Sequence, residues 1–411
     1  MRGILISPAQ IPLLILCEDP NPLLFDQTLA AWGACSPQAL EGLSKEQISQ
    51  GQIAGSLETQ QPIQGLLVLS RREAGQIQAD YPPALNPAAI ESSSPAYAAE
   101  RLTVQVTLQI LKVRAGRSHL FHAASLGLPA HQQQGSADQP LPALALVAPS
   151  GTGKTTATRF LGQQLSYLSD ETALIDPSSL LITPYPKPLS IIEDESQPKV
   201  QYNPADLGLL PAHPQESYRL EHLVILNRVK DQQVAPSCRR LDLASALFAL
   251  ILQTSGVQEM PQGLGELAAL INRLGGAIEV TYSEISQTLP LFKDLLTGRL
   301  DLETRQDSYR FEPSSHYQQG LDRGERFYQR AAGSQGLEIG EDYLISSKGQ
   351  LNRVSLIGWD IWSALSQPLG GRALYQVMKD LYGQVPHQDF KATLEAMEKA
   401  HLIESVYGLE G

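Results

Sequence analysis

The chain has 411 residues, of which 42% are hydrophobic, and this length predicts two or three ordinary domains, each with its own core. Its 43 acidic and 31 basic residues give a formal charge of -12, which provides no long-range attraction to nucleic acid or to an anionic membrane. Three cysteines, Cys17, Cys35 and Cys238, are too few for a disulfide framework and lack metal-ligand spacing, which is typical of a cytoplasmic protein.

The N-terminal region, residues 1–94, is rich in Gln, Pro and Gly and carries two strand-like runs, Leu13–Leu16 and Gly65–Leu69. The apolar run Ile11–Cys17 contains a proline and is too short to cross a bilayer, so no membrane partner is predicted. Pro95–Val113 has apolar residues at helical spacing, although Leu102–Ile110 also alternates as a strand would. We predict a helix there.

The segment Ala148–Thr155 reads Ala-Pro-Ser-Gly-Thr-Gly-Lys-Thr and fits the phosphate-loop pattern, with Ala148 where glycine is usual. A buried strand is predicted before it at Leu144–Val147, and a helix after it at Thr155–Leu165. In such a loop the backbone N–H groups point at phosphate oxygens and the helix dipole adds to their attraction. The pattern predicts an ATP site in which Lys154 contacts the β and γ phosphates and Thr155 ligates Mg²⁺. The residues of this site are Ser150, Gly151, Thr152, Gly153, Lys154, Thr155 and Thr156. The alternative is an ordinary Gly-rich turn.

Two adjacent acids, Asp170 and Glu171, follow the predicted loop helix and precede the apolar run Ala173–Ile175. Beside a phosphate loop, one carboxylate can accept the proton of a substrate hydroxyl while its neighbour holds magnesium. The alternative is a solvated acidic turn. We predict a catalytic pair, because the two acids follow the loop closely.

The order of three segments, His122–Gly127, Ala148–Thr155 and Tyr167–Glu171, resembles HPr serine kinase and its relatives. The resemblance implies that Asp170 is the general base, that Glu171 is a metal or positioning ligand, and that His122 orients or tunes Asp170. A satisfied core histidine is the alternative for His122. Glu171 replaces the family's second Asp. The segment His131–Pro142, which is predicted to be an exposed loop, lengthens the spacing between His122 and the phosphate loop. The family's later Gly- and Arg-rich signature is not located, so phosphorylase activity is not predicted.

The segment Pro184–Ser190 reads Pro-Tyr-Pro-Lys-Pro-Leu-Ser and is similar to an element of HPr kinase-like proteins from peptide-tailoring pathways. This resemblance implies that Lys187 contacts phosphate or substrate. The alternative is an exposed lysine on a stiff, proline-rich loop. The resemblance to the kinase family covers about Pro95–Leu296.

The polar stretch Thr304–Gly336 is predicted to be a linker with a short helix around Leu321–Arg330. After it, two short strands and three amphipathic helices predict a small winged-helix-like α+β module. The predicted strands are Tyr343–Ile345 and Leu351–Val354, and the helices are Ile357–Leu365, Gly371–Tyr382 and Gln388–Ala400.

This module resembles the PqqD-like family of peptide-recognition domains over about Glu338–Val406. The resemblance implies that a leader peptide adds a strand beside Leu351–Val354 and rests on the last helix. The alternative is that Trp359 and Trp362 are only core aromatics. The last helix carries both Glu and Lys and no basic stripe, so nucleic acid is not predicted as a partner.

The sequence therefore predicts an HPr kinase-like α/β P-loop domain at 95–303, a linker at 304–336 and a PqqD-like domain at 337–411. The predicted function is an ATP- and Mg²⁺-dependent kinase that acts on a Ser or other hydroxyl of a ribosomally synthesised precursor peptide, recruited through its leader. A nucleotide-switched peptide chaperone and a small-metabolite kinase are the alternatives. The kinase resemblance also leaves a homo-oligomer open.

Overall fold

A computed structural model describes residues 1–19, 22–49, 62–133, 139–149, 152–300, 302–314 and 326–407. The chain forms two compact units: Met1–Arg239 with Ile278–Leu302, and Arg240–Ala277 with Glu303–Gly411. Both units combine helices and sheets, so the predicted mixed α/β class is confirmed. The division differs from the predicted one because Arg240–Ala277 belongs with the C-terminal unit.

The secondary-structure elements are numbered separately for strands and helices. The strands are β1 (Arg2–Ile6), β2 (Leu13–Cys17), β3 (Gln38–Leu40), β4 (Gly65–Ser70), β5 (Ala88–Glu91), β6 (His119–Phe121), β7 (Ala123–Gly127), β8 (Leu141–Val147), β9 (Ser166–Ser169), β10 (Ala173–Ile175), β11 (Leu181–Thr183), β12 (Leu189–Ile191), β13 (Val200–Tyr202), β14 (Leu210–Pro211), β15 (Tyr218–Arg228), β16 (Ser237–Arg240), β17 (Ile278–Tyr282), β18 (Arg310–Glu312), β19 (Arg326–Arg330), β20 (Gln335–Ile339), β21 (Asp342–Ser347), β22 (Gln350–Val354), β23 (Leu369–Gly370) and β24 (Ile403–Tyr407). The helices are α1 (Pro22–Ala31), α2 (Lys45–Ser49), α3 (Ala74–Asp80), α4 (Pro95–Arg114), α5 (Lys154–Leu161), α6 (Leu243–Leu250), α7 (Gly263–Arg273), α8 (Leu289–Leu296), α9 (Leu356–Ala364), α10 (Gly371–Tyr382) and α11 (His387–Lys399). In the described residues, no helix is long and apolar enough to cross a bilayer.

The N-terminal region forms a five-stranded sheet in the order β3-β1-β2-β4-β5. Strands β2 and β4 are parallel and completely buried, as expected of apolar strands that are covered on both faces. Both predicted strands of this region are therefore confirmed. Helix α4 packs on one face and buries Leu102, Val106 and Ile110, so the helical interpretation of this stretch is confirmed as well.

The apolar core under α4 continues beyond the N-terminal region. It includes Leu120, Leu174 and Tyr185, which belong to the strands and loop around the predicted catalytic acids. The described part of residues 1–94, which the sequence suggested was only a β-containing segment leading into the kinase domain, thus shares a core with the region that carries the candidate site.

The larger sheet of the first unit runs β14-β9-β7-β8-β15-β11-β10-β6, with β17 also beside β15 and β16 beside β17. Strand β8 lies parallel to β15, and β7 lies antiparallel to β8. Leu144–Val147 is buried as predicted, whereas the helix after the phosphate loop ends at Leu161, earlier than predicted. Ligands commonly bind at the carboxyl ends of parallel strands, and the segment after β8 lies at such an end.

Two predicted irregular segments of the first unit contain short regular elements. Leu141 and Pro142, predicted as loop, begin β8, while 134–138 lie outside the described residues. The segment Asn203–Gln215 includes a short 3-10 helix, Pro204–Leu207, capped by the Asn203 side chain, and the two-residue strand β14. The proline-rich composition of these segments therefore led to a prediction with too little regular secondary structure.

The second unit has a sheet in the order β18-β20-β21-β22 and a smaller one in the order β23-β19-β24, with α6, α7 and α9–α11. Lys348 and Gly349 form the hairpin turn between β21 and β22, with φ of 48° and 76°, as a two-residue hairpin turn requires. The helices α9–α11 match the three predicted helices to within one residue at each end.

The predicted linker Thr304–Gly336 is wrong in its described part, because that part contributes β18, β19 and the start of β20. The predicted helix around Leu321–Arg330 is wrong over Arg326–Arg330, which is strand β19, and 321–325 lie outside the described residues. Strand β19 pairs with β24, whose residues lie far away in sequence, so local periodicity could not reveal it.

Candidate functional site

The segment predicted to be a phosphate loop follows β8, and its described residues form a turn that leads into α5. Thr152 N–H and Oγ1 both donate to the Pro149 carbonyl oxygen, at 3.3 and 2.6 Å. Gly153 has φ of +97° and immediately precedes α5. This left-handed conformation is accessible to glycine and strained for other residues. Ser150 and Gly151 lie outside the described residues.

Lys154 begins α5 and is buried, with Nζ donating to the His122 carbonyl oxygen at 2.8 Å. Burial lowers the pKa of Lys154 to about 8, and the Glu171 and Asp170 carboxylates partly oppose this shift. The next two residues, Thr155 and Thr156, are half-buried and exposed, respectively. The predicted lysine therefore lies close enough to the predicted acidic pair for both carboxylates to act on its charge.

His122 lies between β6 and β7 and is half-buried. Its pKa is lowered, first by burial and then by the positive charge of Lys154, while Glu171 and Asp170 act in the opposite direction. Within the described residues, no hydrogen bond joins His122 to Asp170. The contact that His122 does make to the loop is through its backbone oxygen, which holds Lys154.

Asp170 and Glu171 occupy a sharp turn between β9 and β10. The Ser169 Oγ accepts hydrogen bonds from the backbone N–H of Thr172 at 3.1 Å and of Glu171 at 3.4 Å, which fixes this turn. Asp170 is 5% exposed, whereas the Glu171 side chain is 42% exposed. The two acids therefore face different surroundings although they are adjacent in sequence.

These surroundings shift the two acid pKa values in opposite directions. Burial raises the pKa of Asp170, in spite of the nearby Lys187 ammonium. Burial also acts to raise the pKa of Glu171, but the charge and hydrogen bond of Lys187 outweigh it, so that this pKa is lowered. Neighbouring acids whose pKa values are pushed apart are suited to different roles: Asp170 to accept a proton, and Glu171 to remain an anion.

Lys187 contradicts the interpretation as an exposed loop lysine. It is 1% exposed, and its Nζ lies 3.2 Å from Asp170 Oδ1 and 3.0 Å from Glu171 Oε2. Burial alone would lower its pKa, but the two carboxylates outweigh burial and raise it. The stiff proline-rich segment therefore places the Lys187 ammonium in the core, where the Asp170 and Glu171 carboxylates balance its charge.

Arg228 is a candidate site residue that sequence reasoning missed. It ends β15, the strand parallel to β8, and a Cβ placed on Gly153 would lie 4.0 Å from its Nη1. Its Nε donates to the Ser283 carbonyl oxygen at 3.1 Å, and Glu284 lies 3.9 Å away. The available signal was an arginine two residues after the apolar run Leu223–Leu226, which belongs to the strand that pairs with β8.

The C-terminal unit offers a separate candidate surface at β22, the last strand of its four-stranded sheet. Trp359 and Trp362 are both buried under this sheet, as the core interpretation predicts. Part of the β21–β22 hairpin has neighbours: the Arg353 guanidinium lies 5.4 Å from the Phe248 ring, and Gln258 lies against Gly349.

No protein-family model matches the chain, and no curated protein matches it. Its chemistry is therefore inferred from its residues and their geometry. Across the described residues, no group of three or more His, Cys, Asp or Glu side chains is arranged to hold a metal ion. A nucleotide-bound Mg²⁺ does not need such a group, because it takes most of its ligands from phosphates and water.

Proposed function

We propose that the chain is an ATP- and Mg²⁺-dependent kinase that phosphorylates a hydroxyl group. The observation that carries the proposal is the convergence of Lys154, at the start of the loop helix, with the buried acid Asp170 and the more exposed acid Glu171. A phosphate-binding cation, a proton acceptor and a metal ligand are the parts that phosphoryl transfer needs.

Each residue has a role that follows from its position. Lys154 exchanges the His122 carbonyl oxygen for phosphate oxygens, because a charged acceptor forms the stronger hydrogen bond. Asp170, whose pKa is raised, takes the proton of the acceptor hydroxyl. Thr155 and Glu171 would hold Mg²⁺ through side-chain oxygens, and the Glu171 oxygen that lies 3.0 Å from Lys187 Nζ is Oε2. The bound ion would neutralise charge on the transferring phosphate.

The proposed acceptor is a Ser or other hydroxyl of a ribosomally synthesised precursor peptide. The resemblance of the C-terminal unit to leader-binding domains supports this class of substrate, as does β22, which ends its sheet and offers main-chain groups to an added strand. A tethered leader site raises the effective concentration of the acceptor segment to about the millimolar range.

A small-metabolite kinase is the second candidate. It is favoured by the contacts of Phe248 and Gln258 with the β21–β22 hairpin, because these neighbours cover part of the surface that a leader would use. The two candidates share the phosphoryl-transfer site and differ only in how the acceptor is held.

Mass spectrometry of the precursor peptide encoded nearest the gene tests the proposal, with the full chain, ATP and Mg²⁺. We expect a phosphate-sized mass gain that Asp170→Asn and Lys154→Ala both abolish. Asp206→Asn, at an exposed acid, is the control and should retain activity. Loss of the mass gain with a leaderless peptide would support recruitment through the leader.

Three other outcomes would change the conclusion. Leader-dependent binding of the peptide without any mass gain would replace the kinase with a nucleotide-switched chaperone. Phosphorylation of a small hydroxyl compound but not of the peptide would favour the second candidate. Full activity of Asp170→Asn would refute the role of Asp170 as the proton acceptor.

A further inference from the structure

The segment that carries Lys187 is unusually well fixed. The Tyr185 N–H donates to the Leu168 carbonyl oxygen at 2.8 Å, and the Tyr185 hydroxyl lies 2.9 Å from Thr107 Oγ1. The Lys187 N–H in turn donates to the Tyr185 carbonyl oxygen at 2.9 Å. Because prolines flank Lys187 on both sides, the backbone has little freedom, and the side chain enters the core from a rigid support.

The Lys187 ammonium has an acceptor for each of its donors. Its Nζ lies 3.2 Å from Asp170 Oδ1, 3.0 Å from Glu171 Oε2 and 3.3 Å from the Pro188 carbonyl oxygen. A lysine has three N–H donors, so these three oxygens use all of them. Lys187 therefore has no donor left for a phosphate or an acceptor, unlike Lys154, whose described bond is to one backbone oxygen.

The same contacts orient the acids. Asp170 Oδ1 receives both the Lys187 ammonium and the Tyr167 hydroxyl, the latter at 3.3 Å, which leaves Oδ2 as the oxygen for a proton. Two adjacent carboxylates repel each other unless a cation lies between them. A buried cation is in turn unfavourable unless it is paired, so the three side chains hold each other in place.

We propose that Lys187 is a positioning residue of the phosphoryl-transfer site. It holds the Asp170 and Glu171 side chains in the positions that phosphoryl transfer needs, and it contacts neither the nucleotide nor the acceptor. This role rests on the proposed kinase function. It differs from the contact to phosphate or substrate that the family resemblance implied for this lysine.

Kinetics of Lys187→Met test the role. Misplacement of a reacting group by about 1 Å can lower a rate about 100-fold, so we expect kcat to fall about 100-fold. The KM for ATP and the Kd of a fluorescent ATP analogue should change less than about threefold, because Lys187 does not touch the nucleotide. Methylamine should restore part of the activity of Lys187→Ala by supplying the missing ammonium. Lys199→Met, at an exposed lysine, is the matched control and should behave as wild type.

Amine-reactive labelling of the wild-type chain keeps the test decisive even where the variants fail to fold. We expect ATP to protect Lys154 from the reagent and Lys187 to stay unlabelled with or without ATP. Three results would each overturn the positioning role. They are labelling of Lys187 that ATP prevents, an unchanged kcat in Lys187→Met, and a rise in the KM for ATP that accounts for the whole loss of activity in that variant. A wild-type chain that phosphorylates nothing would instead overturn the proposed function, and this role with it.

Discussion

Gly336 lies beneath two buried indole rings, and its replacement by alanine tests how rigidly the second unit is packed. A Cβ at this position would stand 2.6 Å from Trp362 Cζ3 and 2.8 Å from Trp359 Cζ3. Carbon atoms reach their best separation at about 3.5–4.0 Å, so the rings or the strand must move by about 1 Å to accept the methyl group.

Both rings are held by close neighbours. Trp359 and Trp362 are fully buried and stack on each other, with centroids 5.7 Å apart. The Arg330 guanidinium lies 3.7 Å from the Trp362 ring, and Arg330 Nε donates to the Trp362 carbonyl oxygen at 2.8 Å. We expect Gly336→Ala to lower the free energy of unfolding by about 1–3 kcal/mol, the range for overpacked cores.

Thermal unfolding followed by tryptophan fluorescence measures this effect, since two of the chain's three tryptophans lie at the site. A loss of 1 kcal/mol lowers Tm by about 2–4 °C in a domain of 150 residues or more, so the full range is roughly 2–12 °C. Gly358→Ala is the matched control, because its Cβ would lie at an ordinary 3.4 Å from Val354. Equal Tm values for the two variants would refute the packing argument.

Two further predictions concern the first unit. In the proposed kinase, Arg228→Gln should raise the KM for ATP about tenfold, as expected for the loss of one charge-assisted hydrogen bond to phosphate. An unchanged KM in steady-state kinetics would exclude Arg228 from the proposed nucleotide site. Burial acts to raise the pKa of Glu18, but hydrogen bonds from Arg72, Ser70 and Tyr81 lower it below the ordinary 4.5. Its stabilising contribution is therefore complete above pH 4.5 and lost as pH falls through the folded value. Glu18→Gln should lower Tm at pH 7 and approach wild type in acid; a Tm difference that does not vary with pH would contradict this.

Elements with a strong local pattern were predictable from the sequence. Helix α10 begins at Gly371 and ends at Tyr382 as predicted, since its apolar residues recur at helical spacing between bounding glycines. Strand β8 was recognised from its unbroken apolar run, which a strand covered on both faces requires. In both cases the neighbours along the chain determine the structure.

Elements defined by distant partners were not predictable in the same way. The sequence of β19 has the polar composition of a linker. The segment forms a strand because it pairs with β24 on one side and with β23 on the other. The carboxylates that pair with Lys187 precede it in sequence on another turn, so no local rule shows that this lysine is buried. The sequence indicated an exposed side chain at Lys187 because lysine is usually exposed in proteins.

The proposed roles of Asp170 and Glu171 depend on how deeply each side chain is buried, and two adjacent acids in a sequence do not show this. The turn after β9 directs Asp170 into the core and leaves Glu171 partly exposed, and Lys187 lies between them. Desolvation then dominates at Asp170 and the ion pair dominates at Glu171, so one acid becomes the better base and the other the more persistent anion.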